Sequence, residues 1–115
     1  MFPLKTKAKE ILCRGNFKAI IISGGPNSVY AEGAPQIDEE IFKCGLPVLG
    51  ICYGFHLLNK WHGGTVAKEH IREDGQCTVR LDTTCDLFHE LSENEQVLLT
   101  HGDSVTEATV APGFK

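Results

Sequence analysis

The chain has 115 residues, 42% of them hydrophobic and 23% charged, with a formal net charge of −4. That is the size and composition of one small globular domain rather than of a disordered segment. No basic cluster suits a nucleic acid, and no apolar run is long enough to cross a bilayer. The start, Met1-Phe2-Pro3-Leu4-Lys5, lacks a secretory signal pattern, so the cytosol is the expected compartment. The five cysteines, at positions 13, 44, 52, 77 and 85, include no Cys-x-x-Cys pair. Zinc-ligand spacing is therefore absent, no metal site is expected, and a disulfide framework does not suit a cytosolic chain. Cys13, Cys44, Cys77 and Cys85 read as small, partly buried residues.

Thr6 to Cys13 has helical spacing and is closed by Arg14-Gly15-Asn16. Lys18-Ala19-Ile20-Ile21-Ile22 reads as a strand buried on both faces. It stops at the turn formers Ser23-Gly24-Gly25-Pro26-Asn27-Ser28, and a loop continues to about Pro35. Gln36 to Lys43 is a short helix with Ile37, Ile41 and Cys44 on one face and Gly45 as its stop. Pro47 to Ile51 is a second buried strand. Tyr53 to His62 is the next helix, with Phe55, Leu58 and Trp61 spaced for burial, ended by Gly63-Gly64. Thr65 to Lys68 and Gln76 to Leu81 alternate as half-exposed strands joined through Glu73-Asp74-Gly75. Asp86 to Leu91 forms one or two helical turns. Gln96 to Thr100 is a short strand ending in His101-Gly102-Asp103-Ser104, and the tail to Lys115 has no closing element. This alternation of helix and strand predicts an α/β domain with a parallel sheet. Sites in such sheets form at the carboxyl ends of the strands. There the turns Ser23-Gly24-Gly25, Cys52-Tyr53-Gly54 and His101-Gly102-Asp103 can converge.

Gly50-Ile51-Cys52-Tyr53-Gly54, between a buried strand and a helix, has the form of a nucleophile elbow. The two glycines leave room for a sharp turn and for the sulfur at its apex, beside a helix amino end that favours negative charge. Cys52 is thus the candidate nucleophile. The Tyr53 N–H points into the same space, and Gly25 of the other glycine turn is the second candidate donor for an oxyanion. Gly24-Gly25-Pro26 lacks the Lys-Ser/Thr of a phosphate-binding loop. Among the histidines, His62, His70 and His89 read as solvated. His56 faces either solvent or the crevice. His101 is the best placed for a general base, or it shapes its loop through hydrogen bonds.

Four segments together resemble the class I, triad-type, glutamine amidotransferases, most closely the amidotransferase half of GMP synthases. They are Ile20 to Tyr30, Pro47 to Gly54, Gly63-Gly64-Thr65-Val66 with Arg72-Glu73-Asp74-Gly75, and Leu98 to Val105. They occur in the family's order along nearly the whole chain. The resemblance implies a flavodoxin-like, three-layer α/β/α fold around a mostly parallel central sheet. It also implies that Cys52 attacks the side-chain amide of glutamine while Gly25 and Tyr53 hold the oxyanion. Ammonia leaves, and water hydrolyses the glutamyl thioester. Gly24, Gly54, His56, His101, Gly102 and Asp103 are the implied substrate-binding residues. The implied partner is a synthetase (ATP pyrophosphatase) domain in the same chain, which uses ATP and Mg2+ to aminate XMP to GMP. No cofactor is implied for this domain itself.

The sequence departs from the family pattern in two places. The family takes its catalytic His and Glu from a His-Pro-Glu motif, and no His-Pro dipeptide occurs among these residues. The family's first strand, with its Asp-x-Gly turn, is also missing. The expectation is therefore a partial amidotransferase domain over 1–115, with no synthetase domain and with little glutaminase activity alone. The family's Met-Gln after Cys-Tyr-Gly is here Phe55-His56, a bulkier pair beside the substrate. The alternatives are a catalytically inactive remnant that binds a partner or metabolite, and a cysteine peptidase for glutamyl bonds.

Overall fold

The computed structural model describes residues 1–114, apart from the side chains of residues 69–73. The readings made for the side chains of His70, Arg72 and Glu73 lie outside the described residues. The chain divides into two compact units, Met1–Ala67 with the chain from Val105 onward, and Lys68–Ser104.

In the first unit, helix α1 (Ala8–Cys13) is followed by strand β1 (Ile20–Ile22), a 3-10 helix (Glu39–Lys43), strand β2 (Val48–Gly50) and helix α2 (Tyr53–Trp61). Strands β1 and β2 are parallel, with Ile20 opposite Val48, Ile21 opposite Leu49 and Ile22 opposite Gly50. The ladder extends at both ends through Ile20 N–H to Pro47 O and Ile51 N–H to Ile22 O, each 2.9 Å. Helix α2 packs on both strands. Ile22 is consequently buried, whereas Ile21 on the opposite face is 65% exposed. The expectation of a strand buried on both faces is corrected here: among the described residues α2 covers one face of the pair, and alternate side chains of a strand point to opposite faces.

The buried face of α2 holds Tyr53, Gly54, Leu57, Leu58 and Asn59. Of the three residues expected to be buried, only Leu58 is. Phe55 and Trp61 are half-buried and meet aromatic rings instead, Phe114 at 6.3 Å and Phe42 at 5.0 Å between centroids. Tyr53 and Leu57 form the core with Val29 and Val66, and Leu4, Ile37 and Val105 pack around it. The expected helix over 36–43 is shortened to a 3-10 helix because Asp38 caps it, accepting from Glu40 N–H at 3.4 Å. The other Asp38 oxygen accepts from Ala8 N–H at 3.0 Å, at the start of α1.

The tail is not without closure. Asn59, fully buried in α2, donates to Thr65 O (2.9 Å) and Thr109 O (3.2 Å) and accepts from Ala111 N–H (2.6 Å). Thr65 N–H donates to Thr109 O at 2.8 Å. One amide thus ties the end of α2 to residues 65 and 109–111. Composition does not reveal this, because the contacts span about fifty residues of sequence.

Strand β3 (Ala67–Arg80), which enters the second unit at Lys68, and β4 (Asn94–Ser104) pair in a two-stranded sheet, with a 3-10 turn at Asp86–Phe88 between them. Side-chain pairs Thr100–Asp74, Gln96–Gln76 and Glu93–Arg80 run in opposite directions along the two strands, which makes the pairing antiparallel. Two expectations are corrected. Glu73-Asp74-Gly75 is not a turn between strands, since Gly75 lies inside β3 with φ 143° and absorbs an angle other residues avoid. His101-Gly102-Asp103-Ser104 does not end a short strand but belongs to β4, carried on by pairing with the long β3. Cys13 and Cys85 are exposed rather than partly buried, Cys44 and Cys77 are half-buried as read, and all five cysteines are free thiols.

Candidate active site

The elbow is built where β2 hands over to α2. Cys52 caps α2 with φ 53° and ψ −113°, a backbone state that costs a side-chain-bearing residue about 1–3 kcal/mol. The surrounding hydrogen bonds hold it there: Gly54 N–H donates to Ile51 O and His56 N–H to Cys52 O, both 3.0 Å. The turn is tight enough that a Cβ on Gly50 would lie 2.6 Å from Phe55 N, and one on Gly54 would overlap the Ile22 carbonyl. Only glycine allows the helix to begin this close to the strand ends. Cys52 itself is exposed.

The two glycine turns meet at this elbow. A Cβ on Gly24 would lie 3.1 Å from Cys52 Cβ and 3.7 Å from its Sγ. A Cβ on Gly25 would lie 3.9 Å from both Cβ and Cγ of Tyr53. The two turns are neighbours because β1 and β2 are hydrogen-bonded partners that end together. Tyr53 is the first residue of α2, a position whose N–H has no partner within the helix. Its side chain is buried, and its hydroxyl donates to Pro35 O at 2.5 Å. Burial pushes the phenol above its ordinary value of 10.0. The elbow motif points to the backbone N–H of Tyr53 and not to its side chain. An aromatic ring with a polar tip directly after the elbow cysteine was the available signal for the side chain.

Gly24, Gly25, Cys52, Tyr53, Gly54 and His56 therefore lie together in the first unit. His56 is half-buried in the first turns of α2, its ring 6.3 Å from that of Phe55. His101, Gly102 and Asp103 are half-buried residues of β4 in the second unit. His62, read as solvated, is exposed, yet its ring stacks edge-on with Trp61 and Phe114 and its Nδ1 lies 2.9 Å from Leu58 O. Among the described residues no three His, Cys, Asp or Glu side chains gather in a metal-binding group, and no helix is long and apolar enough to cross a membrane. The ATP and Mg2+ implied by the resemblance are assigned to no residue of this chain.

An exposed cysteine on a strained strand-to-helix turn, flanked by two backbone turns, suits attack on a carbonyl and stabilisation of the resulting oxyanion. Comparison with known proteins gives this geometry a family. The family model for glutamine amidotransferase class-I matches residues 1–115. A probable glutamine-hydrolyzing GMP synthase of Caenorhabditis elegans is 66% identical over the whole chain, which covers 15% of that protein. The GMP synthase of Clostridium novyi is 44% identical over the whole chain, which covers 22% of it. That of Dictyostelium discoideum is 46% identical over 97% of this chain and 16% of its own length. The chain thus spans between 15% and 22% of the length of these relatives. With the family model matched from end to end and the elbow in place, the chain belongs to the class I glutamine amidotransferases.

Proposed function

We propose that these residues form part of the glutamine-hydrolysing portion of a GMP synthase, with Cys52 as nucleophile. The observation that supports this is the strained, exposed Cys52 with Gly24 beside it and Gly25 beside Tyr53. The Cys52 sulfur attacks the side-chain amide carbon of glutamine. A C–S bond forms, and the carbonyl π pair moves onto oxygen, where the N–H groups of Gly25 and Tyr53 receive it. Collapse breaks the C–N bond, and the nitrogen leaves as ammonia after taking a proton. Water then cleaves the thioester to glutamate and the free thiol. Gly24, Gly54 and His56 line the glutamine pocket in this mechanism; the family resemblance also assigns substrate binding to His101, Gly102 and Asp103. The names of the relatives, glutamine-hydrolyzing GMP synthases, support ammonia passing into GMP synthesis; we further propose a synthetase domain in cis that uses ATP and Mg2+, in the cytosol. The finer fold that goes with it is the three-layer, mostly parallel α/β/α sheet, of which 1–115 is a part.

The test is ammonia release from glutamine by the full natural chain and its Cys52→Ala variant. Loss by about a thousandfold or more, with labelling of Cys52 by a glutamine-analogue diazoketone that glutamine competes away, is the expected result. Activity that survives Cys52→Ala would refute the assignment. A chain that neither turns over nor labels would point to the inactive binding module. The 115 residues alone, which contain no His-Pro-Glu, are expected to release little ammonia even though Cys52 is present. Turnover by them that disappears in Cys52→Ala would assign the base to a histidine already here, with His101 and His56 the first to substitute.

A further inference from the structure

We propose that the Tyr53 side chain is a positioning residue that holds the two oxyanion donors in register, through its hydroxyl on Pro35 and its ring beside Gly25. This rests on the assignment of Gly25 and Tyr53 N–H as those donors. Oxyanion donors must sit about 2.7–3.1 Å from the developing charge, and a shift of 1 Å costs about a hundredfold in rate. The strand ladder fixes the two chains only as far as the bond from Ile51 N–H to Ile22 O. Beyond it, Gly25 and Tyr53 lie on separate turns with no ladder between them.

The Tyr53 side chain spans that gap. Its Cβ and Cγ lie 3.9 Å from where a Gly25 Cβ would be, at the start of the loop that leaves β1. Its ring shares the core cluster with Val29 in the same loop. Its hydroxyl reaches Pro35 O, near the end of that loop, at 2.5 Å. One buried side chain thus lies beside the start of the loop at Gly25, shares a buried cluster with Val29 further along it, and is hydrogen-bonded near its end at Pro35. It also grows from the residue whose own N–H is the other donor, so fixing the ring fixes both. Leu57 and Val66 belong to the same buried cluster.

Tyr53→Phe keeps the ring and the backbone N–H and removes only the bond to Pro35. In the full natural chain it should lower kcat for glutamine hydrolysis about tenfold to a hundredfold and leave KM within about threefold. Alkylation of Cys52 by iodoacetamide is the discriminating readout, followed at the Cys52 peptide by mass spectrometry because four other thiols are present. That reaction forms a C–S bond and expels iodide at a saturated carbon, with no oxyanion, so its rate should stay at the wild-type value. Val66→Ala, in the same core cluster and outside the site, supplies the control for general loosening and should keep kcat within about twofold. An unchanged kcat in Tyr53→Phe would overturn the proposal. So would alkylation slowed as much as hydrolysis, or an equal loss of kcat in Val66→Ala. Failure of the underlying assignment looks different, as activity that persists in Cys52→Ala.

Discussion

At the elbow, backbone strain and close packing act on neighbouring residues and predict opposite responses to substitution. Cys52 is held at φ 53° and ψ −113° although it carries a side chain. Replacing it with glycine removes that penalty of about 1–3 kcal/mol and adds unfolded-state entropy worth less than about 1 kcal/mol. Cys52→Gly should therefore be about 1 kcal/mol more stable than Cys52→Ala while both lack hydrolysis, a difference readable from urea midpoints. Equal midpoints would show that the strain is not held in the folded chain. Gly54 behaves in the reverse sense. A Cβ there meets the carbonyl of Ile22, which is backbone inside a strand and cannot swing aside. Gly54→Ala should lose about 2–4 kcal/mol by forcing α2 away from β1, seen as a lower urea midpoint. This part of the site was legible in the sequence, because a glycine two positions either side of a cysteine leaves few other structures open. The Tyr53 hydroxyl was not legible, because its acceptor, Pro35 O, is a backbone atom 18 residues away.

Among the elements, Asn59 and Asp38 each join separate segments, and each has its own test. Asn59 satisfies two carbonyls and one N–H at the end of α2. Asn59→Ala would leave the buried Ala111 N–H without its acceptor and remove a donor from Thr65 O and from Thr109 O, which keeps Thr65 N–H, at a cost of about 1–3 kcal/mol. Amide exchange at Ala111 should rise accordingly, and unchanged protection there would count against the tie. Asp38 joins the start of α1 to the 3-10 helix. The hydrogen bond from Ala8 N–H holds its carboxyl below the ordinary value of 3.8 against an opposing desolvation, and weaker contributions from the Glu40 N–H bond and the Lys7 and Lys43 charges lower it further. A carboxyl lowered in the folded state stabilises it at pH above the unfolded value. That contribution fades as pH falls through the folded value. Stability measured from pH 5 downward should therefore decline less steeply in Asp38→Asn than in the wild type; parallel curves would remove Asp38 from the acid response. The order of elements was legible because β-branched runs and glycine stops mark it locally. The single long β3 was not, since Glu73-Asp74-Gly75 has the composition of a turn and only pairing with β4 keeps it extended.

For the molecule as a whole, the question is how much apolar surface these residues bury. The parallel pair has two strands, one of its faces presents Ile21 at 65% exposure, and Leu98 of β4 is 82% exposed. Among the described residues, the buried apolar set includes two alanines and the core cluster holds four side chains. Folding must offset about 1–2 kcal/mol of backbone entropy per residue, and a sparse core leaves little margin. The 115-residue chain by itself should therefore unfold over a broad temperature range and bind a hydrophobic dye near neutral pH. Its urea m-value should fall below that of a fully packed domain of its length, because m follows the surface that unfolding exposes. Tyr53→Phe would sharpen the comparison, since losing the Pro35 bond should broaden the transition further in a chain with so few anchors. A single sharp transition with an m-value normal for 115 residues would show that the core packs more completely than its exposed isoleucine and leucine indicate.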